Sequence, residues 1–383
     1  KVNSFIMTEN KPKKVALVHD FLVSYGGAER VFQELCEMYP KAPIYTLLAD
    51  PKMVGEHFKG RDIRTSWLGK LPRFIQKRYR LFLPFFPAAV ESLDLREFDL
   101  VISSSGAWSK GIITRLNTTH VAYLHSPMRY AWDYHENYLQ ELGARGRRSI
   151  LTRMLMSYLR IWDKQAAERP DVLLANSQFT ARRIKKYYRR EAQVIYPGAL
   201  SLFEKSEKFL EVPGIQRDYF LVVSRLTRSK KIEAVVDAFN KLGLPLIVVG
   251  TGPEELALRK RASAHIQFVG FVEDHELVKW YRGARAVIFP SEEDFGMVAV
   301  EALSFGVPVI GLEYGGLREI VVPGTGEFFH TTAPEIVAEG VRRFLAQEGQ
   351  YSEETMKESV KRFSKAKFQE EMKKLLDGLI SNS

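Results

Sequence analysis

The chain has one cysteine, Cys36, in 383 residues, which excludes an intrachain disulfide and any zinc site built on cysteine pairs and fits a reducing compartment. It has no Asp-x-Asp triplet, the short acidic motif on which a divalent ion could bridge to a diphosphate. No apolar run approaches the ~20 residues that span a bilayer. The first fourteen residues carry neither the apolar core of a secretory signal nor the Arg/Ser-rich pattern of a transit peptide, so the expected location is the cytosolic side of any membrane the protein meets. Tandem repeats and low-complexity tracts are missing as well. So are helix-turn-helix spacing, an aromatic RNA-binding signature and a Cys/His finger, and nucleic acid is not an expected partner.

What is present is enough chain for two α/β domains, with 45% hydrophobic and 27% charged residues, as in a globular protein. The net charge of +10 is uneven. Residues 1–198 hold 32 Lys/Arg against 19 Asp/Glu, a balance of +13, while residues 199–383 hold 24 against 27, a balance of −3. Three basic stretches make most of the difference. Arg73, Gln76, Lys77 and Arg80 fall at helical i, i+3, i+4, i+7 spacing beside Phe74, Ile75, Tyr79 and Phe82, followed by LFLPFFP. Arg145, Arg147, Arg148, Arg153 and Arg160 form the second, and TARRIKKYYRR at 180–190 the third, with Arg182, Lys186 and Arg189 expected on one helix face. Each alone could be a solvated helix face; three in one half favour an anionic membrane surface as partner, with Arg73, Lys77 and Arg80 as its contact residues.

Short apolar strands are predicted at 13–21, 43–48, 99–103, 120–124, 171–175 and 193–196, with helical patterns between several of them, the first opening at Gly26-Gly27. Pro197 to Asp218, with two prolines and two glycines, reads as a break in periodicity. The expected organisation is an N-terminal domain at 1–198, a linker at 199–218, a second domain at 219–362 and a terminal helix at 363–383 packing back on the N-terminal domain. YFLVVS, PLIVVG, HIQFVG, ARAVIFPS and VPVIGL supply the second domain's strands, with a helix at IEAVVDAFNKL between the first two. Strands alternating with helices imply parallel sheets, so the fold class is α/β with two doubly wound, Rossmann-like domains.

In such sheets the chemistry lies at the carboxyl ends of the strands, where helix N-termini offer free N–H groups to a phosphate. Gly26 and Gly27 sit at one such end and would let backbone amides approach a diphosphate, although a glycine pair there can also be only a turn. The richest segment is ARAVIFPSEEDFGMVAVEALSFGVPVI. Glu293 lies at a strand end where it could bond sugar hydroxyls, Glu301 lies two helical turns on where it could reach ribose hydroxyls, and the amides of Phe295, Gly296, Met297 and Val298 would face phosphate. Arg225 and Lys230 in SRLTRSKK are cations that could converge on the same anion, or stay solvated in their loop. His125, where AYLHSP leaves its strand, can be structural or functional on this evidence. Asp294-Phe295-Gly296 and Ala333-Pro334-Glu335 imitate protein-kinase signatures, but the chain has neither a His-Arg-Asp loop nor a Gly-x-Gly-x-x-Gly loop, and a kinase is rejected.

Taken in order, HDFLVSYGGAERV, HSPMRYAWDYHENYL, NSQFTARRI, YPG, SRLTRSKK, the Glu293-x7-Glu301 segment and GGLREIV resemble retaining glycosyltransferases of family 4, with the GT-B fold, over nearly the whole chain. The resemblance implies two domains facing a central cleft. It implies Arg225 and Lys230 on the donor diphosphate, Glu301 on the ribose, Glu293 and His125 on the donor sugar, and Gly26 and Gly27 in a loop closing over the diphosphate. Tyr130 and Trp132 would shape the acceptor side. No cofactor and no metal is expected, since the two cations do the charge work. HSPMRYAWDYH and EEDFGMVAVEA are similar to mannosyltransferases of bacterial O-antigen and surface polysaccharide, which implies GDP-mannose as donor and a lipid-linked glycan as acceptor. The alternatives are a UDP-sugar donor (glucose or N-acetylglucosamine), and a non-enzymatic membrane or polyanion binder on a degenerate transferase scaffold. Asp294, and Met297-Val298-Ala299, depart from the residues frequent in the family's loop.

Overall fold

A computed structural model describes residues 14–76, 78–136, 138, 147–206 and 217–381. It divides into two compact units. The first takes the described residues up to Ala175 together with Arg183–Gln193, and the second takes Asn176–Arg182 and the described residues from Val194 onward.

The first unit holds a seven-stranded sheet in the order β3-β2-β1-β4-β5-β6-β7. Its strands are β1 (Val15–His19), β2 (Ile44–Thr46), β3 (Ile63–Thr65), β4 (Leu100–Ser105), β5 (Thr119–Leu124), β6 (Val172–Ala175) and β7 (Gln193–Val194). The pairings from β3 through to β6 are parallel. Ala16, Leu17 and Val18 in β1 are fully buried, as are Val101, Ile102 and Ser103 in β4. Helices cover both faces of such a sheet, so its strands read as unbroken apolar runs instead of alternating ones. The helix Gly27–Met38 lays Val31, Phe32, Leu35 and Cys36 against the sheet, positions one turn apart on one side.

The second unit holds six strands in the order β10-β9-β8-β11-β12-β13. They are β8 (Tyr219–Val223), β9 (Leu246–Val249), β10 (Ile266–Gly270), β11 (Ala284–Phe289), β12 (Val309–Leu312) and β13 (Gly326–Phe329), all paired in parallel. Within each unit the chain order of the strands is 3-2-1-4-5-6, extended by a seventh strand in the first, the doubly wound order whose direction of growth reverses between the first and fourth strands. Those reversal points are β1/β4 and β8/β11. The apolar helix Ile232–Leu242 ends at Gly243 with φ 67°, the left-handed stop that glycine takes without a Cβ penalty.

Several expectations meet the structure with differences. β3 and β13 are short strands that the sequence pattern does not separate from loop. Against an expected linker at 199–218, Ala199, Leu200 and Leu202 lie in the second unit's core. The terminal helix spans Lys365–Ser381 and is grouped with the second unit. Arg73, Gln76 and Arg80 do not share a helix. The segment breaks into a helix at Arg73–Gln76, a 3-10 turn at Tyr79–Phe85 containing Pro84, and a helix at Phe86–Glu91 with Pro87 in its first turn. Proline at 84 removes a donor that a continuous helix needs. The Gln76 side chain turns inward and donates to the carbonyls of Gly69 (2.9 Å) and Leu71 (2.7 Å). Lys77 and Arg145 lie outside the described residues. The third basic helix ends at Tyr188, and Arg189, with φ 60°, falls beyond the face expected to carry it.

Candidate functional site

In the second unit the reversal point gathers the expected residues. β8 runs out at Ser224 and exposed Arg225, and a 3-10 turn Arg228–Lys230 then brings Lys230 back over the strand ends. β11 ends at Phe289 and passes through Pro290 and Ser291 to Glu293. Lys230 Nζ forms an ion pair with Glu293 Oε1, and Ser291 Oγ donates to the same oxygen at 2.9 Å. Both charged groups remain about a quarter exposed, so the pair is reachable by a ligand. Two neighbouring loops approach so closely that they require glycine. A Cβ on Gly250 (φ 128°) would stand 1.8 Å from the Ser224 carbonyl oxygen, and one on Gly315 (φ 68°) 2.2 Å from that of Glu293. The Gly316 amide donates to the Glu293 carbonyl at 2.9 Å, which fixes the acidic loop from behind.

Gly296 opens the helix Met297–Ser304 at φ 110°, a left-handed conformation that few side chains tolerate. The first intrahelical bond runs from the Ala299 amide to the Gly296 carbonyl at 3.0 Å, so the amides of Met297 and Val298 precede the ladder, as helix N-termini require. The side chain of Phe295 turns the other way, into the core against Tyr196 and Phe363, leaving only its amide for a ligand. Glu301 is buried and accepts from the Tyr281 hydroxyl at 2.7 Å. Tyr281 is not among the expected site residues; nothing in the spacing of the helix Asp274–Arg282 distinguishes it from a core residue.

In the first unit three strand ends meet at β1/β4/β5. His19, the last residue of β1, is the register partner of Ser104 in β4, and His125 follows β5 directly. Ser104 Oγ lies 3.1 Å from His19 Nδ1 and 2.7 Å from His125 Nε2. His19 stacks on Phe32, and its Nε2 is 3.5 Å from Glu29 Oε1. Burial pushes the His125 imidazole down to about 4, helped by the His19 charge and opposed by Glu29 and Asp20, so it is neutral near pH 7. Burial alone would raise Glu29, but its hydrogen bond and charge contact with His19 bring it below the usual carboxylate range. Glu29 lies in the first turn of the helix that Gly27 begins, with Gly26 extended at its N-cap. The glycine pair is therefore within a turn of this polar chain.

Beside it Asp20 accepts from four successive amides: Gly106 (3.0 Å) and Ala107 (2.7 Å) on Oδ2, Trp108 (3.1 Å) and Ser109 (2.6 Å) on Oδ1. Tyr130 and Trp132 are partly buried. Trp132 Nε1 donates to Asp163 Oδ2 at 2.7 Å and its ring stacks on Tyr187. Burial raises the Tyr130 phenol well above its ordinary value, and the Asp163 and Asp20 charges add to this. Asp163 also pairs with Lys110 at 2.6 Å, both side chains fully buried, and accepts from Tyr188 at 2.8 Å. Trp132 thus anchors in the core and shows one edge to a cavity of about 300 Å³ shared with Asp133, His135, Glu136, Arg160 and Tyr187. Arg73 is exposed next to Phe74, and both line a groove of about 800 Å³ with Val23, Leu48 and Tyr79. Among the described residues no group of three or more His, Cys, Asp or Glu is placed to hold a metal ion, and no helix is long and apolar enough to cross a membrane.

Comparison with known proteins follows the same division. Residues 25–199 match the model of Glycosyltransferase Family 4, and residues 205–369 that of Glycosyl transferases group 1. An uncharacterized glycosyltransferase of Methanocaldococcus jannaschii is 34% identical over 160 residues, 38% of this chain and 41% of that protein. The chain spans about half the length, or less, of the curated relatives it matches first. Among solved structures, sucrose-phosphate synthase from Thermosynechococcus elongatus superposes with a TM-score of 0.73 at 20% identity, over 96% of this chain and 99% of that one. The Anabaena protein HepE, solved with UDP-glucose, superposes with a TM-score of 0.67 at 19% identity, over 95% and 99%. Both halves of the chain thus match glycosyltransferase family models, and its two Rossmann-like domains share the GT-B fold of these structures.

Proposed function

We propose that the protein transfers a hexose, with retention of anomeric configuration, from a UDP-sugar to a lipid-linked glycan at an anionic membrane surface. The observation that carries the donor site is the Lys230–Glu293 pair at the β8/β11 reversal, beside Arg225 and the Gly296 turn. Arg225 and Lys230 neutralise the diphosphate, the amides of Phe295 to Val298 bind its oxygens, Glu301 holds the ribose, and Glu293 contacts the sugar. His125 and the Gly26-Gly27 turn are the first unit's candidates for sugar and diphosphate contact. As the anomeric C–O bond breaks, its electron pair goes to the diphosphate oxygen, and the two cations stabilise the charge that develops there. The acceptor hydroxyl then bonds to the anomeric carbon on the same face and gives its proton to the departing phosphate.

Uridine is preferred over guanine as the base because HepE, of matching fold, is solved with UDP-glucose. This revises the GDP-mannose expectation, which rests on the HSPMRYAWDYH resemblance and remains the alternative. Calorimetry with UDP-glucose, UDP-N-acetylglucosamine and GDP-mannose, on wild type and Glu301→Ala, tests both. Uridine-selective binding lost in the variant is expected. Guanine-selective binding restores the mannosyl reading, and no binding of any donor sinks the site.

Support for the membrane surface comes from the helix Arg147–Ala166 as well as from Arg73. Its buried side carries Met156, Leu159, Trp162 and Ala166, while Ile150, Leu151, Met154, Tyr158 and Ile161 form a second, exposed apolar stripe. Lys164 is exposed at helical spacing beside that stripe, and Arg153, paired with Glu136, and Arg160, half-buried against Trp132, add positive charge next to it. Sedimentation with anionic vesicles at low salt is expected to lose most of the bound protein on Ile150→Glu with Met154→Glu. Unchanged binding would remove this surface from the proposal.

A further inference from the structure

The polar chain Glu29–His19–Ser104–His125 crosses three adjacent strand ends, and its donors and acceptors are not independent. Ser104 Oγ has one proton and two ring nitrogens within reach, His19 Nδ1 at 3.1 Å and His125 Nε2 at 2.7 Å. It can donate to only one of them and must accept from the other. The far end is fixed by Glu29, whose Oε1 lies 3.5 Å from His19 Nε2. An ionised carboxylate only accepts, so His19 Nε2 carries a proton. In neutral His19 the Nδ1 atom is then unprotonated and accepts from the Ser104 hydroxyl. The Ser104 oxygen in turn accepts from His125 Nε2–H, and His125 Nδ1 becomes an acceptor. Protonation of His19 would reverse every donor from Ser104 onward and put the His125 proton on Nδ1.

We infer that Glu29, His19 and Ser104 are positioning residues that fix which ring nitrogen of His125 carries the proton. The frame that holds them is rigid. His19 and Ser104 are register partners in parallel strands, Ser104 is fully buried, the His125 amide donates to the Ser105 carbonyl at 2.9 Å, and Phe32 stacks on the His19 ring. The charged groups facing this chain are Glu29 and Asp20; Asp20 is already occupied by the four amides of Gly106–Ser109. Neutral His125 with an unprotonated Nδ1 takes a hydrogen bond from a hydroxyl, whereas the other tautomer gives one. The relay therefore sets the direction of the bond that His125 makes with a sugar. This consequence rests on the proposed sugar contact of His125; the tautomer itself does not.

Histidine-ring ¹⁵N NMR on the full chain at pH 8, without donor, tests it, with the His125 signals assigned by their loss in His125→Gln. The expected wild-type pattern is a protonated Nε2 and an unprotonated Nδ1, and Ser104→Thr, which keeps the hydroxyl, preserves it. Ser104→Ala and Glu29→Leu, which leaves no acceptor for His19 Nε2–H, are each expected to reduce the tautomer ratio about tenfold, the factor that one net hydrogen bond supplies. Glu29 lies in the first turn of a helix and is partly exposed, so its variant reports even if Ser104→Ala does not fold. A proton on Nδ1 in wild type, or a His125 pattern unchanged in Glu29→Leu, overturns the inference. Because no donor is present, failure of the donor calorimetry leaves this result standing, and the reverse holds too.

Discussion

Lys230 and Glu293 face each other across the β8/β11 reversal, so the cation proposed for the diphosphate is stationed on the carboxylate proposed for the sugar. A bound donor would separate or share this pair. Replacing Lys230 with Ala removes one charge from the leaving group, and losses of a single such donor run to about 10²-fold in kcat. Lys230→Ala is expected to lower kcat by that order while Glu301→Ala acts mainly on donor KM. Steady-state kinetics at saturating acceptor checks the split.

Tyr281 hydrogen-bonds Glu301 from a neighbouring helix. Tyr281→Phe deletes that donor and keeps the ring, and a lost bond to a charged group costs about 1.5–3 kcal/mol. Donor Kd should rise by roughly tenfold or more with kcat little changed, as calorimetry and kinetics together would read. An unaltered Kd would separate Glu301 from the ribose.

Gly315 supports the Glu293 loop from below. Alanine there meets both a positive φ and a carbonyl oxygen 2.2 Å from its Cβ. Destabilisation by more than about 1 kcal/mol is expected from the backbone alone. The loop must also shift, so kcat/KM should fall further than the melting temperature predicts. Paired thermal melts and initial rates on Gly315→Ala check this.

The buried Lys110–Asp163 pair makes a sharper stability test. Asp163→Asn leaves a fully buried ammonium without its counter-charge and should cost about 3–5 kcal/mol. Adding Lys110→Met removes that charge, while the amide oxygen introduced at position 163 can still accept from Trp132 and Tyr188, so the double variant should regain at least half of the loss. Urea unfolding of the two variants measures the difference.

Acid should weaken the first unit. His120, fully buried with Ser103 Oγ 2.8 Å from its Nε2, is pushed down to about 3, chiefly by burial and then by the Arg190 and Arg169 charges; His125 is pushed down to about 4. In the unfolded chain both take up a proton near pH 6.5, so between that pH and about 4 the unfolded state binds more protons. Stability therefore falls as pH drops through this window, by an amount on the order of a few kcal/mol. Chemical unfolding at pH 7.5, 6 and 5 should show the decline, and His120→Gln should flatten it.

The parts of this molecule that can be read ahead of the structure are those governed by local pattern. Unbroken apolar runs locate β1, β4, β5, β8 and β11, and the helix at 232–242 is bounded correctly by its own periodicity. Glu293 and Lys230 stand out because each follows such a run. Tyr281 and Ser104 do not, since each acts through a partner 20 or 21 residues away that only the fold brings near. His19 has a usable signal, as the last residue of a strand at a reversal point. The helix expected through 73–80 fails for the opposite reason: the spacing is helical, but Pro84 and the inward turn of Gln76 outweigh it.

The amide cradle around Asp20 explains an inequality between two sheets of like strand order. In the first, a carboxylate from the chain itself sits where four N–H groups converge, so that seat is permanently taken. At the corresponding bend of the second, where Gly296 opens a helix, the acid Glu293 is paired with Lys230 instead. The two copies of the architecture thus set a strand-end carboxylate on different partners, backbone amides in one and an ammonium in the other. The cradle also ties the β1 end to the β4 loop, so this carboxylate makes the first sheet a firm base for the histidines beside it.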